Sequence, residues 1–211
     1  ATELPKEVQK ILENPVQAFL NEIPRLFSGE TNAALGLFLI CGLRIVKNHN
    51  PASSNLLINS ESGAGKDFVV SKVLTAFDPN FVLARSRISP TVLNYWHSSI
   101  NEPWWTWYEK ILYLADVSNS VLNSEVLKCF VTGQNSATIT EKGKAIEFEI
   151  LGKPVVLLTA AVPSQGQEQL RRFPILLLNE TAEQTKAILG FQAGLAKGKN
   201  HNAEFSKSFK E

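Results

Sequence analysis

Apolar positions along the chain follow two periodicities, and their alternation gives the architecture. Over residues 2–27 they recur at helical spacing, with Val8, Ile11, Leu12, Val16, Phe19, Leu20 and Ile23 in an amphipathic segment interrupted by Pro15 and Pro24. A second helical run spans 31–48. The turn residues Asn50-Pro51-Ala52-Ser53-Ser54 follow. Asn55-Leu56-Leu57-Ile58-Asn59 is too short an apolar run for a helix and predicts a buried strand. Helical pattern returns at Phe68-Val69-Val70-Ser71-Lys72-Val73-Leu74 and stops at Asp78-Pro79.

The same alternation continues downstream. Residues 81–84 read as a strand, and Ser89-Pro90-Thr91 opens a helix with proline at an early position. A tryptophan-rich stretch leads into Lys110-Ile111-Leu112-Tyr113-Leu114-Ala115-Asp116, a strand ending on a carboxylate. A helix is predicted over 124–131. Alternating segments at 137–140 and 146–150 flank Glu141-Lys142-Gly143-Lys144 and predict a hairpin. Buried strands are expected at 154–159 and 175–178, a helix over 181–189, and a loose polar tail from 197. Strands alternating with helices indicate an α/β fold with a mostly parallel sheet. The expected organisation is an N-terminal helical segment (1–50), an α/β core with an inserted β-hairpin (51–196) and a polar C-terminal tail (197–211).

Composition narrows the class. A chain of 211 residues is long enough for one sizeable core, and 44% hydrophobic with 19% charged residues is ordinary for a globular protein. A net charge of +1 supplies no whole-molecule attraction for nucleic acid, so any such case rests on a local patch. Cys41 and Cys129 are too few for a disulfide framework and fit a reducing compartment. The strongest apolar stretch, 33–46, falls short of the roughly 20 residues that span a bilayer. No basic leader with a cleavage site opens the chain, so a soluble cytoplasmic protein without membrane association is expected. The sequence starts at Ala1 and contains no methionine, which suggests a fragment or a processed chain.

Between the 55–59 strand and the 68–74 helix lies Ser60-Glu61-Ser62-Gly63-Ala64-Gly65-Lys66-Asp67. A phosphate-binding loop needs inward backbone N–H groups, small residues that admit the phosphates, and a lysine for the β/γ oxygens. Gly63 and Gly65 supply the backbone freedom, and Lys66 stands at a helix start, where the dipole favours an anion. Ser60 replaces the first glycine of the usual pattern and Asp67 its hydroxyl residue. A tight turn capping a helix is the plainer alternative. The order of strand, glycine loop, lysine and helix favours phosphate, with Ser62, Gly63, Ala64, Gly65, Lys66 and Asp67 holding ATP and Asp67 reaching Mg²⁺.

Such a site needs a carboxylate on a neighbouring strand. Asp116 is the candidate for Mg²⁺ and water, with Ala115 where many such enzymes carry a first acid; a helix cap or Asx-turn is the alternative. Thr159, at a strand's C-terminal edge, is placed to position water, or is simply a β-branched strand residue. Arg172, with Arg171 beside it, is the candidate for stabilising transition-state charge, against two ordinary loop arginines. Lys142 and Lys144 suit phosphate contacts on DNA, although lysines on a turn are also ordinary solubility chemistry. Trp96, Trp104, Trp105 and Trp107 are able to stack bases, yet aromatics this dense more often fill a core. His49, His97 and His201 lack partners at metal-binding spacing.

Taken in order, the pieces resemble a family. Leu56-Leu57-Ile58-Asn59-Ser60-Glu61-Ser62-Gly63-Ala64-Gly65-Lys66 is followed by Arg87-Ile88-Ser89-Pro90-Thr91-Val92-Leu93-Asn94-Tyr95. The strand ending at Asp116, the hairpin and the strand ending at Thr159 come next. Leu170-Arg171-Arg172-Phe173 then precedes Asn179-Glu180-Thr181-Ala182-Glu183-Gln184-Thr185. Over about residues 30–190 this is similar to the AAA+ helicase domains of phage, plasmid and mobile-element replication proteins, related to superfamily 3 and minichromosome-maintenance helicases. The resemblance implies a homo-oligomer, usually a hexameric ring, with ATP between subunits. It gives Lys66 the Walker A role, Asp116 the Walker B role, Thr159 the sensor role and Arg172 the arginine-finger role. It also places Lys142 and Lys144 on a hairpin facing single-stranded DNA. The function expected is an ATP-dependent DNA helicase motor. The alternatives are a nucleotide-binding assembly module with weak or no hydrolysis and, third, a small-molecule P-loop kinase.

Overall fold

Short apolar runs in this chain become neighbouring parallel strands, because a run apolar on both faces is satisfied only inside a covered sheet. The computed structural model describes residues 4–47, 50–59, 65–90, 92, 106–134, 136–160, 172–179, 181–196 and 205–210. Their elements in chain order are α1 (Lys6–Glu13), α2 (Pro15–Leu26), α3 (Thr31–Gly42), β1 (Asn55–Asn59), α4 (Lys66–Leu74), β2 (Val82–Ser86), β3 (Ile111–Ala115), α5 (Asn119–Leu122), α6 (Glu125–Thr132), β4 (Ser136–Glu141), β5 (Lys144–Glu149), β6 (Val155–Ala160), β7 (Ile175–Leu177), α7 (Ala182–Ala196) and α8 (Lys207–Lys210). None of the described helices is long and apolar enough to cross a membrane.

Contacts group the chain into two compact units built from non-contiguous pieces. One combines Ala1–Phe38, Gly63–Pro79 and Leu178–Glu211; the other combines Leu39–Ser62 and Asn80–Leu177. The second holds a five-stranded sheet in the order β2-β3-β6-β1-β7, with every pairing parallel. This is the α/β architecture with a parallel sheet that the alternating pattern predicts. All strands therefore end on one edge, where ligands of open α/β sheets bind. Leu112, Leu114, Val156, Leu157 and Leu158 in the middle of the sheet are fully buried.

Helix α6 covers one face of the sheet. Ser124 caps it by accepting from the Leu127 N–H at 3.2 Å, and Val126, Leu127 and Phe130 join a core cluster with Leu57, Leu112, Leu114, Val156 and Leu158. Each of those side chains contributes about 1.5–3 kcal/mol on burial, against about 1 kcal/mol for the cap, so packing rather than capping holds α6. The β4–β5 hairpin is a separate two-stranded antiparallel sheet.

In the first unit, Asn14 caps α2 by accepting from the Gln17 N–H at 3.1 Å, with Pro15 in the first turn. Phe19 is fully buried and stacks on Phe38 at 4.2 Å between ring centres and on Phe205 at 5.4 Å.

Some sequence expectations change. Pro24 lies inside α2, which runs on to Leu26 because proline near a helix end removes only one intrahelical bond. Helix α3 stops at Gly42 and tightens into a 3-10 turn, Leu43–Ile45, short of the expected residue 48. Strand β7 is not buried: it borders the sheet and leaves Ile175 47% and Leu177 68% exposed. Helix α7 continues to Ala196, past 189. Nor is the tail loose throughout, since Phe205 is 3% exposed and residues 205–210 return to the N-terminal helices.

Candidate functional site

In the first unit the chemistry sits at the start of α4. Gly65 is its N-cap with φ +79°, a left-handed backbone that glycine adopts without strain. A Cβ built there meets no atom of the described residues within 4 Å. Lys66 opens the helix at 8% exposure, and Asp67 occupies the exposed first turn, where the helix dipole favours a carboxylate. Phe68 meets Phe27 edge-on at 6.2 Å. Ser62, Gly63 and Ala64, and with them Ser60 and Glu61, lie outside the described residues.

In the second unit the structure brings Asp116 and Thr159 together at the C-terminal edge of the sheet. Thr159 is fully buried; its Oγ1 accepts from the Asp116 N–H at 3.0 Å, and its carbonyl accepts from the Val117 N–H at 3.0 Å. The end of β6 therefore sets the turn that carries the carboxylate. Asp116 is left-handed at φ +52°, and so is Arg87 at φ +51° just beyond β2. The Arg87 N–H donates to the Ala115 carbonyl at 3.3 Å, and its Nε lies 3.8 Å from Asp116 Oδ2.

Left-handed backbone costs an arginine about 1–2 kcal/mol, whereas an exposed ion pair contributes about 0–1 kcal/mol. The pair therefore does not offset its own geometry. Sequence reasoning gave Arg87 no role, and no signal was there to find, because an arginine codon does not announce a left-handed backbone.

Arg172 is not brought to this edge. It precedes β7, and its carbonyl accepts from Asn55 Nδ2 at 3.3 Å at the opposite, N-terminal end of the sheet. A five-residue strand spans roughly 16 Å, so Arg172 is separated from Asp116 and Thr159 by about that length. Lys142 and Lys144 are exposed at the hairpin tip, where Lys142 at φ +50° and Gly143 at φ +77° form the two-residue turn. Trp107 is 4% exposed and packs 4.8 Å from Phe130, so it belongs to the core; Trp96, Trp104 and Trp105 lie outside the described residues.

A family model described as the MTBMA_p00010 P-loop domain matches residues 6–207. The chain belongs to this P-loop family. No curated protein matches it. P-loop membership suggests nucleotide binding, and the described residues at the start of α4 fit a phosphate ligand. A left-handed glycine caps α4, a lysine begins it, and Asp67 in its exposed first turn is an oxygen ligand of the kind Mg²⁺ takes; in the second unit, Asp116 is another.

Proposed function

We propose that this P-loop domain is the motor of an ATP-dependent DNA helicase from a replication protein, coupling hydrolysis to movement on single-stranded DNA. The observation that carries the reading is the Asp116–Thr159 pairing at the C-terminal edge of a sheet whose strand β1 runs into the P-loop. A carboxylate and a hydroxyl fixed there are the groups that phosphoryl transfer to water requires beside a phosphate cradle.

Lys66 takes the β/γ-phosphate oxygens, and the backbone from Ser62 to Gly65 lines the phosphates. Asp116 would hold Mg²⁺, which supplies charge neutralisation at the phosphates when bound. Thr159, buried with its hydroxyl on the Asp116 N–H, acts on the water through the turn that it fixes. Arg172, at the far end of its own sheet, serves a neighbouring subunit's nucleotide in a homo-oligomeric ring, a hexamer by the family resemblance. Lys142 and Lys144 contact DNA phosphates without reading sequence, as a translocating motor needs.

A second reading is a nucleotide-binding assembly module with little turnover. It is favoured by Ala115 at the end of β3, which leaves one acid on that strand, and by Arg87 beside that acid.

The test is steady-state ATP hydrolysis by the chain at micromolar concentration, with and without single-stranded DNA, beside Lys66→Ala. DNA-stimulated turnover that disappears in the variant supports the motor. ATP binding without turnover supports the assembly module, and nucleotide affinity unchanged in Lys66→Ala removes both.

A further inference from the structure

At the N-terminal end of the sheet lies a buried polar knot that the proposed mechanism leaves unused. Asn55 is fully buried and Ser54 is 1% exposed. Asn55 Nδ2 faces three main-chain carbonyls: Val131 at 3.0 Å, Arg172 at 3.3 Å and Pro51 at 3.3 Å. Its Oδ1 accepts from Lys153 Nζ at 2.9 Å, and the same ammonium donates to Ser54 Oγ and the Pro154 carbonyl, each at 2.9 Å. The carboxamide has one workable orientation. Turned over, its NH₂ would meet the ammonium and its oxygen would meet the carbonyls.

The carbonyls this amide gathers belong to two separate features. Val131 is in the last turn of α6, and the chain passes from there through Gly133 into β4, the first strand of the hairpin. Gly133 sits against the same knot, since a Cβ there would lie 3.2 Å from Pro51 Cγ and 3.5 Å from Lys153 Cδ. Arg172 is the proposed transition-state arginine. Its backbone is pinned again just downstream, where Phe173 is 4% exposed in the core and the Leu57 N–H donates to the Pro174 carbonyl at 3.0 Å. A buried ammonium and amide are a poor choice for stability alone, because apolar side chains of similar volume are often as good or better. What the polar set adds is a defined geometry at both roots.

We infer that Asn55, oriented by Lys153, is a positioning residue that fixes the backbone at Arg172 relative to the root of the β4–β5 hairpin. The inference rests on the reading of Arg172 as an arginine acting on a neighbouring nucleotide. A long, flexible side chain stabilises a transition state only when its mount is held, and small misplacements there slow the chemical step while leaving ground-state binding intact.

The experiment compares ATP affinity and DNA-stimulated kcat in wild type, Asn55→Asp, Arg172→Ala and the double variant, using the full chain. Asn55→Asp keeps a tie to Lys153 and turns a carboxylate oxygen toward the carbonyls of Val131 and Arg172. We expect it to lower kcat about five-fold or more with ATP affinity within about two-fold, and the double variant to be no slower than Arg172→Ala alone. Lys153→Met, which removes the orienting ammonium, should act in the same direction and also fail to add to Arg172→Ala.

Thermal melts report folding; if Asn55→Asp does not fold, Lys153→Met carries the same comparison. If neither variant folds, the knot is structural and the inference falls. Multiplicative losses in the double variant, or wild-type kcat in folded single variants, overturn it alone. Wild-type kcat in Arg172→Ala, or a wild type without turnover, removes the reading beneath it first.

Discussion

Gly152 shows how much one backbone conformation controls. It is left-handed at φ +86°, and a Cβ would come within 2.6 Å of the Tyr108 backbone nitrogen and 2.8 Å of Tyr108 Cγ. The neighbouring Trp107 N–H donates to the Leu151 carbonyl at 2.6 Å, so these two stretches of main chain have no room to part. Gly152→Ala should cost about 2 kcal/mol or more in urea-unfolding free energy, from left-handed strain and overpacking together. A loss below about 0.5 kcal/mol would show that the contact yields more easily than its geometry implies. Lys153, next in sequence, gives a pH dependence. Burial pulls its ammonium from an ordinary 10.5 down to about 7. Below pH 7 the folded and unfolded lysine are both charged, and the native state carries the full burial penalty. Between pH 7 and 10.5 the unfolded lysine keeps the proton that the native one has released. The unfolded state then binds more protons, so stability rises with pH, by at most about 1.4 kcal/mol per unit. Unfolding free energies at pH 7, 8 and 9 should rise in wild type relative to Lys153→Met. Parallel profiles for the two proteins would refute the assignment.

Among the elements, the hairpin was the most legible. Period-two alternation on both sides of Glu141-Lys142-Gly143-Lys144 specified its strands and tip, and the observed register pairs Glu141 with Lys144 across a two-residue turn. If the tip meets DNA, replacing Lys142 and Lys144 by alanine removes two phosphate contacts. The slope of log affinity against log salt for single-stranded DNA should then shrink by about 1.4. An unchanged slope would return both lysines to ordinary surface chemistry. Strand β7 was legible in place but not in burial. An apolar run of a few residues reports that a strand forms, not whether it has neighbours on both edges, and among the described residues β7 has β1 on one edge only. The short helix α5 was missed because Asn119–Leu122 is too brief for any period to emerge. Residues 205–210 misled for a related reason: Phe205 and Phe209 sit alone among polar neighbours in sequence, and the rings of Phe19 and Phe38 give them a place.

At the scale of the whole molecule, the separation of Arg172 from the Asp116–Thr159 edge matters most. Within one chain the length of the sheet separates them, so if Arg172 acts on a γ-phosphate, that nucleotide belongs to another subunit. Mixing inactive Arg172→Ala with inactive Lys66→Ala should therefore restore part of the ATPase, because mixed oligomers contain interfaces with one intact lysine and one intact arginine. Failure to recover activity, with mixed oligomers shown by mass photometry, would exclude a shared site. The fold class, the P-loop and the candidate residues Lys66, Asp116, Thr159 and Arg172 were open to inspection in the sequence, because strand–loop–helix order and apolar run length are local properties of a chain. Tertiary structure alone decided that Asp116 and Thr159 share a hydrogen bond, that Arg87 stands beside them in a left-handed turn, and that Asn55 binds the roots of Arg172 and the hairpin together. Those relations join residues between 29 and 117 positions apart in sequence. No local pattern encodes such a pairing; it is set when the parallel strands find their order and register.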